Sequence, residues 1–438
     1  MMLSGNRPLS SLTRGEIEHH QTERFRELLA EVVPRNQFWQ AKLAQGGVAP
    51  SSFQTLADLS RFPFTTREEI LADQQLHPPY GSNLTYPVAD YSRLHQTSGT
   101  SGMPMRWLDT PASWTRILES WEQLFGLIGL RKVDRLFFAF SFGPFLGFWA
   151  GFEGAHRLGS LCIPGGGMSS LARLKLLLDN QATILCCTPT YALRLAEVAG
   201  EHGIDLASSA VRAILVAGEP GGNVPATRRR IEAAWGGRVI DHWGMTELGP
   251  LAIEPEERPG GLAVLESECI AEIIDSQSLQ PVPSGEEGEL VITNLGRWGS
   301  PLIRYRTGDR VRATPAGSPT SIPQAPFLFL EGGILGRTDD MLTIRGNNVY
   351  PAALEDAIRA FPEVAEFRIE LRTVKAMQHL RIELEPTAEV TETEGKRLAA
   401  AVLETVQQRW HFQPEVCLVA PGALPRFEMK ARRFVRVD

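Results

Sequence analysis

Residues 213–247 read AILVAGEPGGNVPATRRRIEAAWGGRVIDHWGMTE, and this stretch contains the strand, helix and strand that decide the fold class. The apolar runs near its two ends are typical of buried strands. The helical segment between them has Pro225 near its start and Gly236 at its end, the residue types that favour a helix start and a helix stop. Together with the preceding apolar run ATILCCTPT (182–190), the pattern predicts parallel βαβ units and therefore an α/β domain.

Two polar segments come at the ends of predicted strands in this domain. GEP (218–220) follows the first strand, and WGMTE (243–247) ends the second. Ligands of open α/β sheets bind at the carboxyl ends of the strands. We therefore expect a ligand site at these two segments.

Segments outside this core predict three further regions. Residues 14–45 alternate charged and apolar positions with helical spacing, which predicts an amphipathic opening helix. After residue 260, short β runs separated by turn signals predict a mainly antiparallel subdomain. From about residue 338, helical segments alternate with strands, so we divide the chain into residues 1–337 and a small α+β domain at residues 338–438.

The composition of the 438 residues excludes several classes of protein. Hydrophobic residues make up 43% and charged residues 22%, as in ordinary globular proteins, and the net charge of -7 argues against a nucleic-acid-binding protein. The apolar run at residues 136–152 contains proline and is shorter than the roughly 20 residues that a membrane-spanning helix needs. The N-terminus lacks the apolar core of a signal peptide, and the five cysteines form no CxxC pair, so we expect a cytoplasmic protein without membrane partners.

A loop at residues 95–104, HQTSGTSGMP, has the composition of an anion-binding site. Its hydroxyl side chains, and the glycines that let backbone N–H groups turn inward, suit a nest for phosphate oxygens. The loop does not match a Walker A sequence and has no lysine, so a positive charge that balances a phosphate has to come from elsewhere. Composition alone leaves an ordinary surface turn open as the alternative.

Six motifs follow one another along the chain: TSGTSGMP (97–104), GEP (218–220), DHWGMTE (241–247), YRTGDR (305–310), GRTDDMLTIRGNNVYP (336–351) and LPRFEMKARR (424–433). The set resembles the adenylate-forming superfamily of acyl-CoA synthetases, peptide-synthetase adenylation domains and luciferases, and within it the phenylacetate-CoA ligase family. The resemblance covers nearly the whole chain. It implies a large N-terminal adenylation (AMP-binding) domain of βαβ sheets with a small β subdomain, followed by a small mobile α+β C-terminal domain.

The resemblance implies the activity of an AMP-forming acid-thiol ligase. Such an enzyme uses ATP and Mg2+ to convert a carboxylic acid to an acyl-adenylate, and coenzyme A then displaces AMP to give a thioester. Two alternatives stay open. The acceptor thiol belongs to a carrier protein in some relatives, and a non-catalytic nucleotide-binding homologue is suggested by Met103 and Met429, where lysine and glycine are usual. The family also implies a homodimer.

The resemblance assigns residues to the nucleotide site. Glu247 would bind Mg2+ and Asp309 the ribose hydroxyls, tasks that suit carboxylate oxygens. The residues implied for the nucleotide are Thr97, Ser98, Gly99, Thr100, Ser101, Gly102, Gly218, Glu219, Pro220, His242, Trp243, Gly244, Met245, Asp309 and Arg337. The implied catalytic residues are Thr246, Glu247 and Lys430, and Lys430 would supply the missing charge because it bridges the carboxylate and the α-phosphate.

An aromatic run, FFAFSFGPFLGFW (137–149), bears on the identity of the acid. Phe140, Phe142 and Phe145 resemble the acyl-pocket residues of the family, and Trp243 and Gly244 would complete the pocket. A flat apolar slot favours an aryl or arylacetic acid, and an aromatic core cluster is the alternative.

The resemblance implies two features beyond the site. Asp339 would be the hinge about which the C-terminal domain rotates between the two half-reactions, bringing Arg345 and Gly346 to the thiol. Residues 254–269 lack the histidine of a metal cluster that some relatives carry, so we expect no structural zinc.

Overall fold

The computed structural model describes residues 2–3, 7–8, 12–97, 103–314, 327–338, 342–344, 347–374, 377–427 and 431–437. The chain divides into two compact units that interleave along the sequence. The first unit consists of Met1–Gly167, Ala182–Cys186 and Ile240–Ile334, and the second of Met168–Gln181, Cys187–Val239 and Leu335–Asp438. The division at residues 337 and 338 stays a prediction.

The helices are α1 (Arg14–Val32), α2 (Gln37–Gln45), α3 (Arg67–Leu76), α4 (Pro111–Leu127), α5 (Gly147–Arg157), α6 (Ser170–Asp179), α7 (Pro189–Glu201), α8 (Pro225–Trp235), α9 (Pro351–Arg359) and α10 (Glu392–Trp410). Helix α8 confirms the predicted helix start and helix stop, because Pro225 is its first residue and Gly236 ends it in the left-handed conformation at φ 66°. Glycine adopts this conformation without the steric cost that a Cβ brings.

The predicted opening helix is divided in two. Helix α1 begins with a capping box of Thr13 and Glu16, as its sequence favours, but it ends at Val32. Pro34 follows and has no backbone N–H to donate to a helical carbonyl, although Val33 before it still has right-handed helical geometry. Asn36 then caps α2 by accepting the backbone N–H of Trp39.

The strands are β1 (Met2–Leu3), β2 (Arg7–Pro8), β3 (Arg93–Gln96), β4 (Arg106–Asp109), β5 (Arg135–Phe138), β6 (Leu161–Pro164), β7 (Ile184–Cys187), β8 (Ala213–Ala217), β9 (Arg238–Met245), β10 (Gly249–Ile253), β11 (Gly261–Val264), β12 (Cys269–Ile274), β13 (Glu287–Asn294), β14 (Tyr305–Thr314), β15 (Phe329–Glu331), β16 (Gly336–Arg337), β17 (Leu342–Ile344), β18 (Asn347–Val349), β19 (Val364–Val374), β20 (Met377–Pro386), β21 (Glu415–Leu418) and β22 (Phe434–Val437). The predicted α/β class is confirmed, since strands and helices alternate from β5 to β9.

The first unit combines parallel and antiparallel pairing. Strand β5 pairs in parallel with β6 and β7, with α5 as the crossover between β5 and β6. The later strands are ordered β9-β10-β11-β15-β14-β13-β12, and every one of these pairs is antiparallel. The antiparallel subdomain predicted after residue 260 is therefore confirmed. A buried cluster that includes Phe25, Trp39 and Leu290 holds the opening helices against these strands.

The second unit contains α6, α7, β8 and α8 and the residues from Leu335 onward. Its C-terminal part is a four-stranded sheet of order β21-β20-β19-β22, in which β19 and β20 form an antiparallel hairpin and the outer strands pair in parallel. Buried side chains of α9 and α10, such as Leu354 and Val402, share a core with this sheet. The predicted small α+β fold is confirmed. Among the described residues, no helix has the length and the apolar character needed to cross a membrane.

Candidate active site

Glu247 lies in the turn that joins β9 to β10 in the first unit. Its side chain is buried, and its Oε1 accepts a hydrogen bond of 2.8 Å from the Tyr305 hydroxyl at the start of β14. Burial, with the Glu247 charge beside it, raises the pKa of Tyr305 well above its ordinary value. Tyr305 therefore stays protonated and holds the carboxylate as a donor.

Arg67 connects Glu247 to the first residue of the predicted phosphate loop. Its Nη1 lies 4.0 Å from Glu247 Oε1, and its Nη2 donates to the Thr97 hydroxyl at 3.3 Å. Thr97 Oγ1 also accepts the backbone N–H of Met105 at 3.0 Å. The structure thus brings two of the predicted motifs together around one guanidinium.

Thr246 is held through its backbone. Its carbonyl accepts a 2.7 Å hydrogen bond from Arg297 Nη1, and Arg297 also makes a bidentate ion pair with Asp109 at the end of β4. Arg297 and Asp109 are almost completely buried. Burial alone would raise the pKa of Asp109, but the charge and hydrogen bonds of Arg297, together with the His95 ring 3.9 Å away, lower it. A charged, buried pair therefore fixes the turn that carries Glu247.

The predicted ribose ligand Asp309 lies in β14 and is buried. Its Oδ2 accepts the indole N–H of Trp243 at 2.8 Å, and its own backbone N–H donates to Thr307 Oγ1 at 3.0 Å. Two residues predicted for the same site are therefore in direct contact.

The other residues of the DHWGMTE motif have structural partners within the first unit. His242 Nδ1 donates to the Ala252 carbonyl at 2.8 Å, and burial lowers the pKa of the His242 ring to about 4, so the ring is neutral at pH 7. A Cβ at Gly244 would lie 2.7 Å from the Gly249 carbonyl oxygen, so this position requires glycine. Met245 is partly buried against the core.

The aromatic run forms a cluster between β5 and α5. The ring centroids of Phe140 and Phe142 are 4.7 Å apart, and the Phe140 ring lies 5.1 Å from that of Phe148. Phe140, Phe142 and Phe145 are half-buried, whereas Phe148 is buried. The cluster therefore has a packed base and a partly accessible side.

Glu219 follows β8 in the second unit and is half-buried. Its Oε1 accepts the backbone N–H of Thr190 at 2.9 Å, and its Oε2 accepts the backbone N–H of Ala431 at 2.7 Å. Its neighbours Gly218, at φ 93°, and Pro220 are exposed. Arg337 is half-buried in β16. The structure thus places both carboxylate oxygens of Glu219 on backbone donors.

Several predicted residues lie outside the described part of the chain. They are Ser98, Gly99, Thr100, Ser101, Gly102, Asp339, Arg345, Gly346, Met429 and Lys430. Their assigned roles stay predictions.

Sequence reasoning missed three residues that hold the site. Tyr305 belongs to the YRTGDR motif and Arg67 to the segment FPFTTREEI (62–70), yet neither was assigned a role. The absence of lysine from the phosphate loop signalled that a cation was needed, but not which one. Arg297 has no signal in the sequence, because its partner Asp109 is 188 residues away.

The described residues fit a magnesium ion that is shared with a nucleotide. Among them, no group of three or more His, Cys, Asp and Glu side chains is arranged to bind a metal without other ligands. Mg2+ is usually held by one or two carboxylates together with substrate phosphates and water. One buried carboxylate, Glu247, near the guanidinium that contacts Thr97, matches that requirement.

Comparisons with known proteins agree with this geometry. The family model described as AMP-binding enzyme matches residues 89–296, and that of the AMP-binding enzyme C-terminal domain matches residues 346–436. Phenylacetate-coenzyme A ligase of Pseudomonas putida is 30% identical over 435 residues, which cover 97% of this chain and 95% of the relative. This chain belongs to the phenylacetate-CoA ligase family.

Other relatives and solved structures extend the match. Phenylacetate-coenzyme A ligase of Escherichia coli K12 is 28% identical over 97% of this chain and 96% of its own. The crystal structure of 2-hydroxyisobutyryl-CoA ligase in the postadenylation state gives a TM-score of 0.91 at 26% identity and covers 100% of this chain and 94% of that chain. The same ligase in the thioesterification state gives a TM-score of 0.74 at 28% identity, with equal coverage.

The family membership establishes the reaction. The enzyme is an AMP-forming acyl-CoA synthetase that activates a small carboxylic acid with ATP and transfers the acyl group to coenzyme A, with Mg2+ as the metal cofactor. The predicted family, activity and cofactors are confirmed.

Proposed function

We propose that the acid is an aryl or arylacetic acid, bound against the half-buried side of the aromatic cluster of Phe140, Phe142 and Phe148. Supporting this, Phe140 packs on both other rings at centroid distances of 4.7 and 5.1 Å, and the ring is only half-buried, so part of its surface is accessible. An offset or edge-on aromatic pair contributes about 0.5–1.5 kcal/mol beyond the area that it buries. The phenylacetate-CoA ligases that match the full chain favour the same acid class.

The experiment that tests this proposal measures acid-dependent ATP-pyrophosphate exchange with a panel of acids. Benzoic, phenylacetic and cinnamic acids represent the proposed class, and fatty acids and 2-hydroxyisobutyric acid are the controls. We expect exchange with an aryl acid, and a raised KM for that acid in Phe140→Ala. Preference for 2-hydroxyisobutyric acid, the acyl group of the structural relative, would overturn the proposal.

The roles of the site residues form the second part of the proposal. Glu247 binds Mg2+, Asp309 and Arg337 bind the nucleotide, the loop from Thr97 to Gly102 binds its phosphates, and Lys430 acts in adenylation. Support comes from the contacts of Glu247 and Thr97 with one guanidinium and from the bond between Asp309 and Trp243. Exchange that persists in Lys430→Ala would remove Lys430 from this assignment.

A carrier-protein thiol is the second candidate acceptor. It is favoured by 33% identity over 173 residues to L-proline--[L-prolyl-carrier protein] ligase of Pseudomonas fluorescens, a match that covers 36% of this chain and 31% of that protein. Acylation rates measured with coenzyme A and with a phosphopantetheinylated carrier protein separate the two acceptors. We expect coenzyme A to be the better acceptor.

Three further predictions complete the proposed function. The enzyme works in the cytoplasm, which suits its five free cysteines, Cys162, Cys186, Cys187, Cys269 and Cys417. It forms a homodimer, which sedimentation tests.

The enzyme hinges at Asp339 between the regions 1–337 and 338–438. Asp339→Pro should therefore impair one half-reaction more than the other, and equal loss of both would overturn the hinge.

A further inference from the structure

The GEP motif was assigned to the nucleotide, but the Glu219 carboxylate has other partners in this structure. Its two oxygens accept one backbone N–H each, from Thr190 at 2.9 Å and from Ala431 at 2.7 Å. Thr190 is in the first turn of α7, where backbone N–H groups lack helical partners and a negative charge is favoured. A single carboxylate therefore joins the start of α7 to the C-terminal segment of the chain.

A second contact joins the same two segments. Arg433 Nη1 donates to the Thr190 hydroxyl at 3.2 Å, while the guanidinium makes a bidentate ion pair with Glu366 in β19 at 2.7 and 3.0 Å. Arg433 and Glu366 are buried. Thr190 thus uses its backbone N–H for Glu219 and its hydroxyl for Arg433. Arg433 contacts Thr190 directly, and Ala431 is joined to it through the Glu219 carboxylate.

We infer that Glu219 is a positioning residue, which docks the segment that begins with Ala431 and thereby orients Lys430, the residue before it. The inference rests on the proposed role of Lys430 in adenylation. Fixing the backbone of a residue costs conformational entropy, and a charge-assisted hydrogen bond to its N–H offsets that cost before the reaction begins.

We assign the contact to adenylation, because the inference rests on the role of Lys430 in that half-reaction. The bonds of Glu219 and Thr190 to residues 431 and 433 should then matter for adenylation and not for thioester formation.

The test separates the two half-reactions in Glu219→Gln and Glu219→Ala. Glutamine keeps one acceptor oxygen and alanine keeps none, so ATP-pyrophosphate exchange should fall in both, and by about ten- to hundredfold in Glu219→Ala, the loss expected for a charged hydrogen bond. Thioester formation from supplied acyl-adenylate and coenzyme A should stay within about twofold of the original rate, because it does not use these bonds.

Two controls make the result specific. Glu201→Gln changes a carboxylate at the other end of α7, which pairs with Arg194 at 3.3 Å, and should leave both half-reactions unchanged. Thr190→Val removes the acceptor of Arg433 but keeps the backbone N–H for Glu219, and should lower exchange by less than Glu219→Ala. Thermal unfolding of each variant checks that the fold is intact.

Hydrogen exchange at the Ala431 amide reports the docking without any activity. In Glu219→Gln this amide should exchange roughly tenfold faster, as expected when a charged hydrogen bond is lost. A higher KM for ATP with unchanged kcat would instead mean that Glu219 contacts the nucleotide, and would overturn the inference. Equal loss of both half-reactions would also overturn the inference, as would an unchanged rate of hydrogen exchange at the Ala431 amide. If the unmodified enzyme activates no acid, the proposed function fails, whereas the amide measurement still tests the docking contact.

Discussion

Glu247 and Glu219 each follow a strand, β9 and β8, but their partners differ in kind. Glu247 is held by side chains, since it accepts the Tyr305 hydroxyl and lies 4.0 Å from the Arg67 guanidinium. Glu219 is held by backbone N–H groups that are 29 and 212 residues away in the chain. Both carboxylates have their partners within their own unit, but those of Glu247 are side chains, whereas one partner of Glu219 is a backbone N–H of the C-terminal segment.

This difference has a functional meaning. A metal-binding carboxylate benefits from partners that do not move, because a preorganised ligand loses no energy to reorganisation during the reaction. A carboxylate that binds a segment in only one stage of the cycle benefits from partners that can be released. Substitutions around Glu247 therefore test whether its partners form a fixed environment.

The largest effect is expected from Arg297→Met, which leaves Asp109 charged, buried and without its bidentate partner. Removing one member of a buried ion pair costs about 3–5 kcal/mol. Urea denaturation should show a loss of this size in the free energy of unfolding. Arg312→Met is the matched control, because Arg312 pairs with Glu287 at the surface, where a pair contributes at most about 1 kcal/mol. Similar losses in the two variants would show that the turn of Glu247 does not rest on the buried pair.

Glu247→Gln should lower ATP-pyrophosphate exchange by about a hundred- to a thousandfold, the usual loss when a group that stabilises transition-state charge is removed. The amide keeps the size of the side chain and an acceptor for Tyr305, so the fold should be retained. Titration with Mg2+ is the measurement, and the half-saturating concentration should rise. Glu287→Gln, at a surface carboxylate, is the control. An unchanged Mg2+ requirement would remove Glu247 from the metal site.

Glu247 and Arg297 show what the sequence could and could not predict. Glu247 was found because WGMTE is a local motif at the end of a strand, and the βαβ units were found because periodicity and helix ends are local properties. Asp109 and Arg297 could not be found, since a charged residue 188 positions from its partner looks like any surface charge.

The partners of Glu219 were beyond sequence reasoning for a different reason. A backbone N–H carries no residue identity, so only the path of the folded chain shows that Thr190 and Ala431 converge on this carboxylate. The single opening helix over residues 14–45 was a wrong prediction for a local reason, because apolar spacing was weighed more heavily than Pro34.

Because of His242, the free energy of unfolding of this protein depends on pH. Its pKa is lowered to about 4 in the folded protein by burial, from an ordinary value of 6.5, so between these values the unfolded chain binds more protons. The contribution of His242 is therefore complete above pH 6.5 and is lost as the pH falls toward 4, up to about 3 kcal/mol. His242→Asn retains an N–H donor for Ala252 and cannot be charged, so its unfolding free energy should fall less between pH 7 and pH 4. Parallel pH curves for the two proteins would contradict the buried neutral ring.

Arg67→Ala should have the smallest of these effects and bears directly on the lysine that the phosphate loop lacks. The guanidinium contacts the Thr97 hydroxyl at 3.3 Å and lies 4.0 Å from Glu247, so it places a positive charge where the loop has none. Losing one charged hydrogen bond lowers kcat/KM for ATP by about ten- to hundredfold.

The matched control for Arg67 is Arg61→Ala, since Arg61 is an exposed arginine six positions earlier that pairs only loosely with Asp58, at 3.5 Å. Arg67→Lys keeps the charge but not the planar fork, and should recover part of the loss. If Arg67→Ala behaves like Arg61→Ala, Arg67 does not supply the positive charge. The site around Glu247 then depends on the C-terminal segment for its cation, just as Glu219 depends on that segment for a hydrogen-bond donor. The two carboxylates would in that case differ in their partners but not in their dependence on the C-terminal segment.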